Sequence, residues 1–576
     1  MVATTLKVLL GLTLVLAVAC GGAPAATPPA ADGAPTAAPT PVIASDTASP
    51  TAAPQTAVPP AQPELNPGKL TIVVGDFGPE RFDGTFLGGN PGGHNYGRIL
   101  QGYLISTNET MEMVPGLASK WGFSADGLTW TFTLGQGGKF HDGSEVTLED
   151  VFWSLQHTFG PQAVEYGAST AARLSRALDK IELSGPDEVS LTTREPLTEL
   201  GFFVAESGPY WYTVMPRRAT PHDPDAELAY DNNPIGAGFM RLVNHVPAYS
   251  MSFERFDDFY YQPKNGFPED KRVNFETMDM LLVPEEATRV SALRAGEADI
   301  VPASIGAKQQ VEAGGGRLLM GQEGIIINLK LEGCYETQYP CHDKRVRQAL
   351  DYAIDKELIR DRLYGGPEVF QVKGWNAITP STIGYTPGLD PRPFDPEQAR
   401  QLLADAGYPG GVGFGKLIVN TWPSTAMPQQ VEAAQLGADF WRKELGLDVE
   451  IRVGDSTGMQ QLERTGGMNG QIYWRDNDTR KDPTSLIGGS FGDPEYPTRA
   501  HEDPELLQLV QETVQILDPD ERAEAYKELA LRLRDESYWL GIGYANIPWG
   551  VGPRVSTWQP YPLAQFPSAL HTVTLK

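Results

Sequence analysis

The sequence predicts an α/β fold, and three stretches carry that prediction. In "GLTWTFTL" Leu128, Trp130, Phe132 and Leu134 alternate with Thr129, Thr131 and Thr133, the period-two pattern of a half-buried strand. "DPEQARQLLADAGY" is a whole helix in one phrase: Asp395 caps it, Pro396 opens its first turn, Leu402, Leu403 and Ala406 face inward, and Gly407 stops it. The helix predicted from Gln429 to Leu445 ends at Gly446 and runs into a strand in which Leu447, Val449, Ile451 and Val453 alternate. Helix and strand follow one another through short connections with no fixed-period repeat, which is α/β organisation.

Taken in chain order, residues 1–19 have the layout of an export signal: Lys7 in a short start, an apolar run from Val8 to Ala17, and small residues at Ala17 and Ala19. The run is too short to span a bilayer stably. Ala17-Val18-Ala19 suits ordinary cleavage before Cys20. It also resembles the bacterial lipoprotein box, in which that cysteine is acylated and becomes the first residue, although Leu16 stands four places before Cys20 where the box usually has Leu three before. Residues 21–66 are almost entirely Ala, Pro, Thr and Gly, with no aromatic residue and no Lys or Arg, so they cannot bury enough apolar surface to fold. Such a tether, extended as polyproline II at roughly 3.1 Å per residue, reaches on the order of 100 Å. A tether is useful when its end is anchored, which favours acylation of Cys20.

About 510 residues follow, enough for two or three lobes with cores of their own. The formal charge of -27 and a pI near 4.7 argue against nucleic acid and against adsorption to anionic lipid, since both are polyanions. After "GLTWTFTL" a turn at His141–Gly143 leads to Thr147 and Asp150 in capping-box spacing and to the helical stripe Val151, Phe152, Leu155 and Phe159. In "EGCYETQYPCHD", Cys334 and Cys341 are seven positions apart in a loop, and in an exported protein such a pair reads as a disulfide. A metal site using His342 and Asp343 lacks a second Cys/His pair at finger spacing. Proline-started helices from Asp503 and Asp518 and a strand-like "YWLGIGYANI" close the body.

Catalytic and cofactor motifs fail on context. "GGVGFGK" (Gly410–Lys416) has Leu417 where a phosphate-binding loop needs Ser or Thr, and it precedes a strand instead of opening a helix. "GGSFG" around Ser490 has the nucleophile-elbow pattern but not the strand before and helix after that an elbow requires. "DNDTRKD" starts like a calcium loop, yet Arg480 and Lys481 occupy positions that need oxygen ligands and glycine. The sequence therefore points to a binder without metal or cofactor, with a surface serine hydrolase around Ser490 as the distant alternative.

Several phrases then occur in a recognisable order: "LQGYLIS", "VPGLASKWGFSADGLTWTFTLGQGGKFHDGSEVTLEDVFWSL", "NPIGAGFMRLVNHVPAYSMSFERFDDFY", "ALRAGEADIVP", "DKRVRQALDYAIDKELI", "FDPEQARQLLADAGYPGG" and "DPDERAEAYKELALRLRDES". Together they resemble the extracellular solute-binding proteins of family 5, the dipeptide and oligopeptide receptors of ABC importers. One departure is "LGQGGKF", where the family usually shows Arg after the Leu and an apolar residue before the Lys.

The resemblance implies a hinged two-lobed clamp of the class II periplasmic-binding-protein type, with an extra domain inserted in the first lobe and no catalysis. Lobe I would comprise residues 67–103, 236–324 and 548–576, the inserted domain II residues 104–235, and lobe III residues 325–547. It further implies a monomer that encloses a peptide or other small molecule and hands it to ABC permease and ATPase subunits, held at the membrane's outer face through Cys20. Ligand that touches both lobes only when they close shifts the population towards the closed form.

In peptide-binding relatives an aspartate shortly after an aromatic takes the peptide's amino group, and "IYWRDNDTRKDPTS" resembles that stretch, with Trp474 as the aromatic and Asp476 or Asp478 as the acid. "GGNPGGHNYG", with Asn90, His94 and Asn95, stands where relatives line the cleft, and its glycines suit close approach of ligand to backbone. Trp375 and Trp422 are candidate pocket walls, and Arg475 and Arg480 candidate partners for a ligand carboxylate. A peptide, an oligosaccharide and a metal complex all remain open as the solute.

Overall fold

The computed structural model describes residues 68–86, 91–161, 163, 172–208, 212–219, 230–424, 427, 429–494, 496 and 498–576. Cys20 and the segment that follows it lie outside the described residues, as does Asn90.

The apolar strand β1 (Lys69–Val74) lies inside the main sheet, parallel to β8 (Thr277–Leu282) and touching β9 (Ile300–Pro302). An antiparallel hairpin, β6 (Met240–Val246) and β7 (Ser250–Arg255), continues from β8 to one edge. On the other side come β14 (Trp539–Val551), β10 (Arg317–Glu332), β13 (Gln471–Asp478), β11 (Lys416–Thr421) and the edge strand β12 (Asp448–Val453). Strand order is therefore β12-β11-β13-β10-β14-β9-β1-β8-β7-β6.

Two hydrophobic cores divide this sheet. One gathers Leu70, Ile72, Met251, Phe253, Met278 and Met280 with Trp549, Val551 and Val573. The other gathers Ile325, Ile327, Leu329 and Leu331 with Leu540, Ile542 and Ala545 under helix α4 (Gln430–Leu445). Among the described residues, only strands β10 and β14 contribute to both: Leu319 and Trp549 pack in the first, and Ile325 and Leu540 in the second. These two long strands pair with one another and cross from lobe to lobe.

A third core belongs to the inserted domain. There β2 (Ala118–Phe123), β3 (Thr129–Leu134), β5 (Glu188–Thr193) and β4 (Leu178–Leu183) form an antiparallel sheet in that order, with Trp130 and Phe132 buried against Val151, Leu155 and Phe159 of α2 (Leu148–Phe159). The Thr147–Asp150 capping box starts α2, with each side chain accepting from the other's backbone N–H. Further helices are also defined by their ends. Asp395 caps α3 (Pro396–Asp405), which stops before Gly407 at φ 97°, and α4 stops at Gly446 at φ 70°. Asp503 and Asp518 cap helices Pro504–Val514 and Pro519–Glu536. Cys334 and Cys341 are joined by a disulfide with 5.2 Å between their Cα atoms.

Candidate ligand-binding site

Alternation along β13 decides where its side chains go. Ile472 and Trp474 enter the core under α4, where the Trp474 ring stands 6.5 Å from Trp441 and a methyl group at Gly437 would lie 2.3 Å from it. Tyr473 faces the opposite way, into a cluster with Trp422, Met459 and Met468. Arg475 shares that face: its guanidinium lies 5.8 Å from the Trp422 ring, and Nη1 lies 3.4 Å from Glu463. Trp375 packs among Ile378, Leu389 and Phe491, and its indole N–H donates to the Trp539 carbonyl at 3.0 Å. At 0%, 7% and 1% exposure, Trp474, Trp422 and Trp375 are buried among other side chains in this structure. Arg475 likewise faces the buried carboxylate of Glu463. Flanking residues identify an aromatic or a cation but not the face on which it stands.

Beyond Trp474 the strand surfaces. Asp476 is partly buried and accepts a hydrogen bond from Ser424 Oγ at 3.0 Å; burial raises its carboxyl above the usual range, against the pull of Arg475 and Ser424. Asp478, on the same face two residues on, is exposed and accepts from Gln565 Nε2 at 2.6 Å. Gln565 lies far off in sequence, and its neighbour Phe566 completes the opposing wall. The His94 ring stands 5.6 Å from Phe566, and the Arg98 guanidinium lies 4.4 Å from the same ring. Both come from α1 (His94–Leu100). Burial, with Arg98 and Arg480 nearby, holds the His94 imidazole well below its usual range, so it is neutral at physiological pH. The Arg98 guanidinium in turn feels Asp478. The end of β13, α1 and the Gln565–Phe566 segment thus meet in one place, with Asp476, Asp478, His94, Arg98 and Arg480 around it.

Other expected residues have structural work. Asn95 Nδ2 donates to the Asp76 carbonyl at 3.0 Å. A Cβ on Gly92 would lie 2.3 Å from the Gly78 nitrogen, so this glycine admits the protein's own backbone, not a ligand. Arg480 Nη1 donates to Ser485 Oγ at 2.8 Å. Arg98, Gln565, Phe566 and Ser424 were not singled out from sequence, because no local pattern joins positions so far apart. Arg98 also borders a partly open cavity of about 30 Å³ with Tyr103, Glu206, Lys271 and His571, room for a water but not for a solute.

The position of Ser490 does not give the nucleophile elbow that the hydrolase alternative needs. Ser490 lies inside a helix, Thr484–Gly492, at 1% exposure, not on a strand-to-helix elbow. Among the described residues no group of three His, Cys, Asp or Glu side chains could hold a metal ion.

The family model of bacterial extracellular solute-binding proteins, family 5, matches residues 112–497. Heme-binding protein A of Haemophilus influenzae is 23% identical over 486 residues, covering 80% of this chain and 83% of that protein. The dipeptide-binding protein of Escherichia coli is 26% identical over 358 residues, 58% of this chain and 60% of its own length. Among solved structures, the ABC transporter substrate-binding protein CtaP of Listeria monocytogenes aligns with a TM-score of 0.73 at 20% identity, over 89% of this chain and 100% of that one. DppA of Helicobacter pylori, in complex with the peptide STSA, aligns with a TM-score of 0.70 at 19% identity, over 88% of this chain and 98% of that one. These likenesses establish the two-lobed fold, and the family match spans more than half of the sequence. The chain belongs to the bacterial extracellular solute-binding proteins of family 5.

Proposed function

We propose that this protein captures a peptide-like solute between its lobes and delivers it to an ABC permease, with Asp476 and Asp478 holding the solute's positive end. The observation that carries the reading is the state of Asp476. Its carboxyl is partly desolvated and takes one hydroxyl hydrogen bond from Ser424, and among the described residues no Lys or Arg stands within ion-pair distance of it. An ammonium group brought by a ligand supplies the missing charge through a charge-assisted hydrogen bond. The dipeptide-binding protein of Escherichia coli and the peptide-bound DppA of Helicobacter pylori support a peptide as solute.

Calorimetric titration with a mixed peptide pool tests this. Asp476→Asn and Asp478→Asn should each weaken binding by at least tenfold, about 1.4 kcal/mol. Unchanged affinity in both variants places the anchor elsewhere. Binding of an oligosaccharide or metal complex where no peptide binds overturns the peptide assignment.

The same reading places the protein at the outer face of a membrane through an acylated Cys20. Fractionation of wild type and Cys20→Ser should find the first with membranes and the second soluble; equal solubility rules the anchor out.

A further inference from the structure

Where β10 and β14 pass from one core to the other, their pairing slips. Gly321 pairs with Ile547 and Ile325 with Ala545, so β10 advances four residues while β14 advances two. The bulge is "GQEG", Gly321 to Gly324, and its left-handed residue is Glu323 at φ 54°, not either glycine. A glutamate in that region carries a strain of about 1 kcal/mol or more that glycine would not. Something must therefore hold the glutamate.

Glu323 is 8% exposed and bonded from several sides. Its carboxylate accepts from the Ser381 backbone N–H at 3.0 Å and from Ser381 Oγ at 2.9 Å. Its own N–H donates to Asn546 Oδ1 at 3.0 Å, inside the segment where β14 crosses. Its carbonyl accepts from Thr479 Oγ1, directly after Asp478. The preceding carbonyl, of Gln322, accepts from Leu563 N at 2.7 Å, two residues before Gln565. Asn546 is fixed in turn by the carbonyls of Val369 and Glu368 at 2.7 and 3.0 Å.

We propose that Glu323 is the positioning residue of the interlobe crossover: its carboxylate, held by Ser381, pins the left-handed bulge and so sets the angle at which the two lobes meet. The end of β13 and the Gln565–Phe566 segment, which approach one another across the site, both hang from this bulge, so its geometry sets the width between them.

Small-angle X-ray scattering of the full-length, unliganded protein tests this without knowledge of the solute. Residues 1–67 have the same sequence in every variant. Glu323→Gly relieves the backbone strain but removes the carboxylate, and Ser381→Ala removes one of its donors while leaving Glu323 in place. Both should shift the radius of gyration from the wild-type value at temperatures well below their melting points. Ser381→Thr, which keeps the hydroxyl, should give the wild-type curve. Curves for Glu323→Gly and Ser381→Ala that superimpose on wild type overturn the proposal, as does a Ser381→Thr shift equal to that of Ser381→Ala.

Discussion

Glu332 and Glu463 share a buried site with Lys330, whose Nζ lies 2.6 Å from Glu463, and with Arg475. Burial pushes the Glu332 carboxyl up to about 8, with Glu463 adding to the effect and Lys330 opposing it. Glu463, paired with both cations, is held below the usual carboxylate range despite its own burial. A carboxyl that keeps its proton to about pH 8 when folded but loses it near 4.5 when unfolded binds more protons in the folded state between those values. Stability must then fall as pH rises through that window. Glu332→Gln cannot ionise and still donates to Glu463, so its melting temperature should fall less than that of wild type between about pH 5 and about pH 9. An equally steep fall in the variant would show that another group titrates. This cluster was not legible in the sequence, because Lys330 and Glu332 look like ordinary alternate positions of a strand until Glu463 arrives from a separate helix. Trp474 illustrates the same limit: its neighbours name the strand, while only the packing of Gly437 shows which side is inside.

Helix ends were legible because capping is local. Asp150 accepts from Thr147 N and, at 2.8 Å, from Arg217 N, so it caps α2 and also ties down a distant segment. Thr147→Ala should cost about 1 kcal/mol, in the usual range for a lost cap. Asp150→Ala, which takes the acceptor from two backbone N–H groups, should cost about 2 kcal/mol, two hydrogen bonds at about 1 kcal/mol each. Urea midpoints measure both, and equal losses would deny Asp150 its second role. The disulfide loop is similarly local. Closing Cys334 to Cys341 should contribute about 2.5 kcal/mol by loop-closure entropy. Thiol counting on the denatured, unreduced protein should find neither cysteine free, and two free thiols would refute the link. The long strands were less legible. No reading of the sequence picked out β10, which runs through the glycines of "GQEG" because the residues on either side find the same partner in β14. The "YWLGIGYANI" strand likewise runs on through Pro548 to Val551.

At the scale of the molecule, the ordered phrases identified the family and its two lobes, since they sample nearly the whole body. The candidate site was only partly legible: Asp478 and His94 stand beside the Gln565–Phe566 segment, which the returning C-terminal chain brings there and no phrase announced. That return has a consequence for biogenesis. The first core joins Leu70 and Ile72, near the start of the described chain, to Trp549, Val551, Leu570 and Val573, near its end. A polypeptide released N-terminus first, from a ribosome or through a translocation channel, cannot complete this core until its last strand has emerged. The segments that build this core must wait unpaired for nearly the whole of the chain's synthesis or passage, while the inserted domain has its own core within residues 104–267. A premature stop before Trp539 removes β14, the partner of both β9 and β10, so such truncations should be cleared by proteolysis and not accumulate as half-clamps.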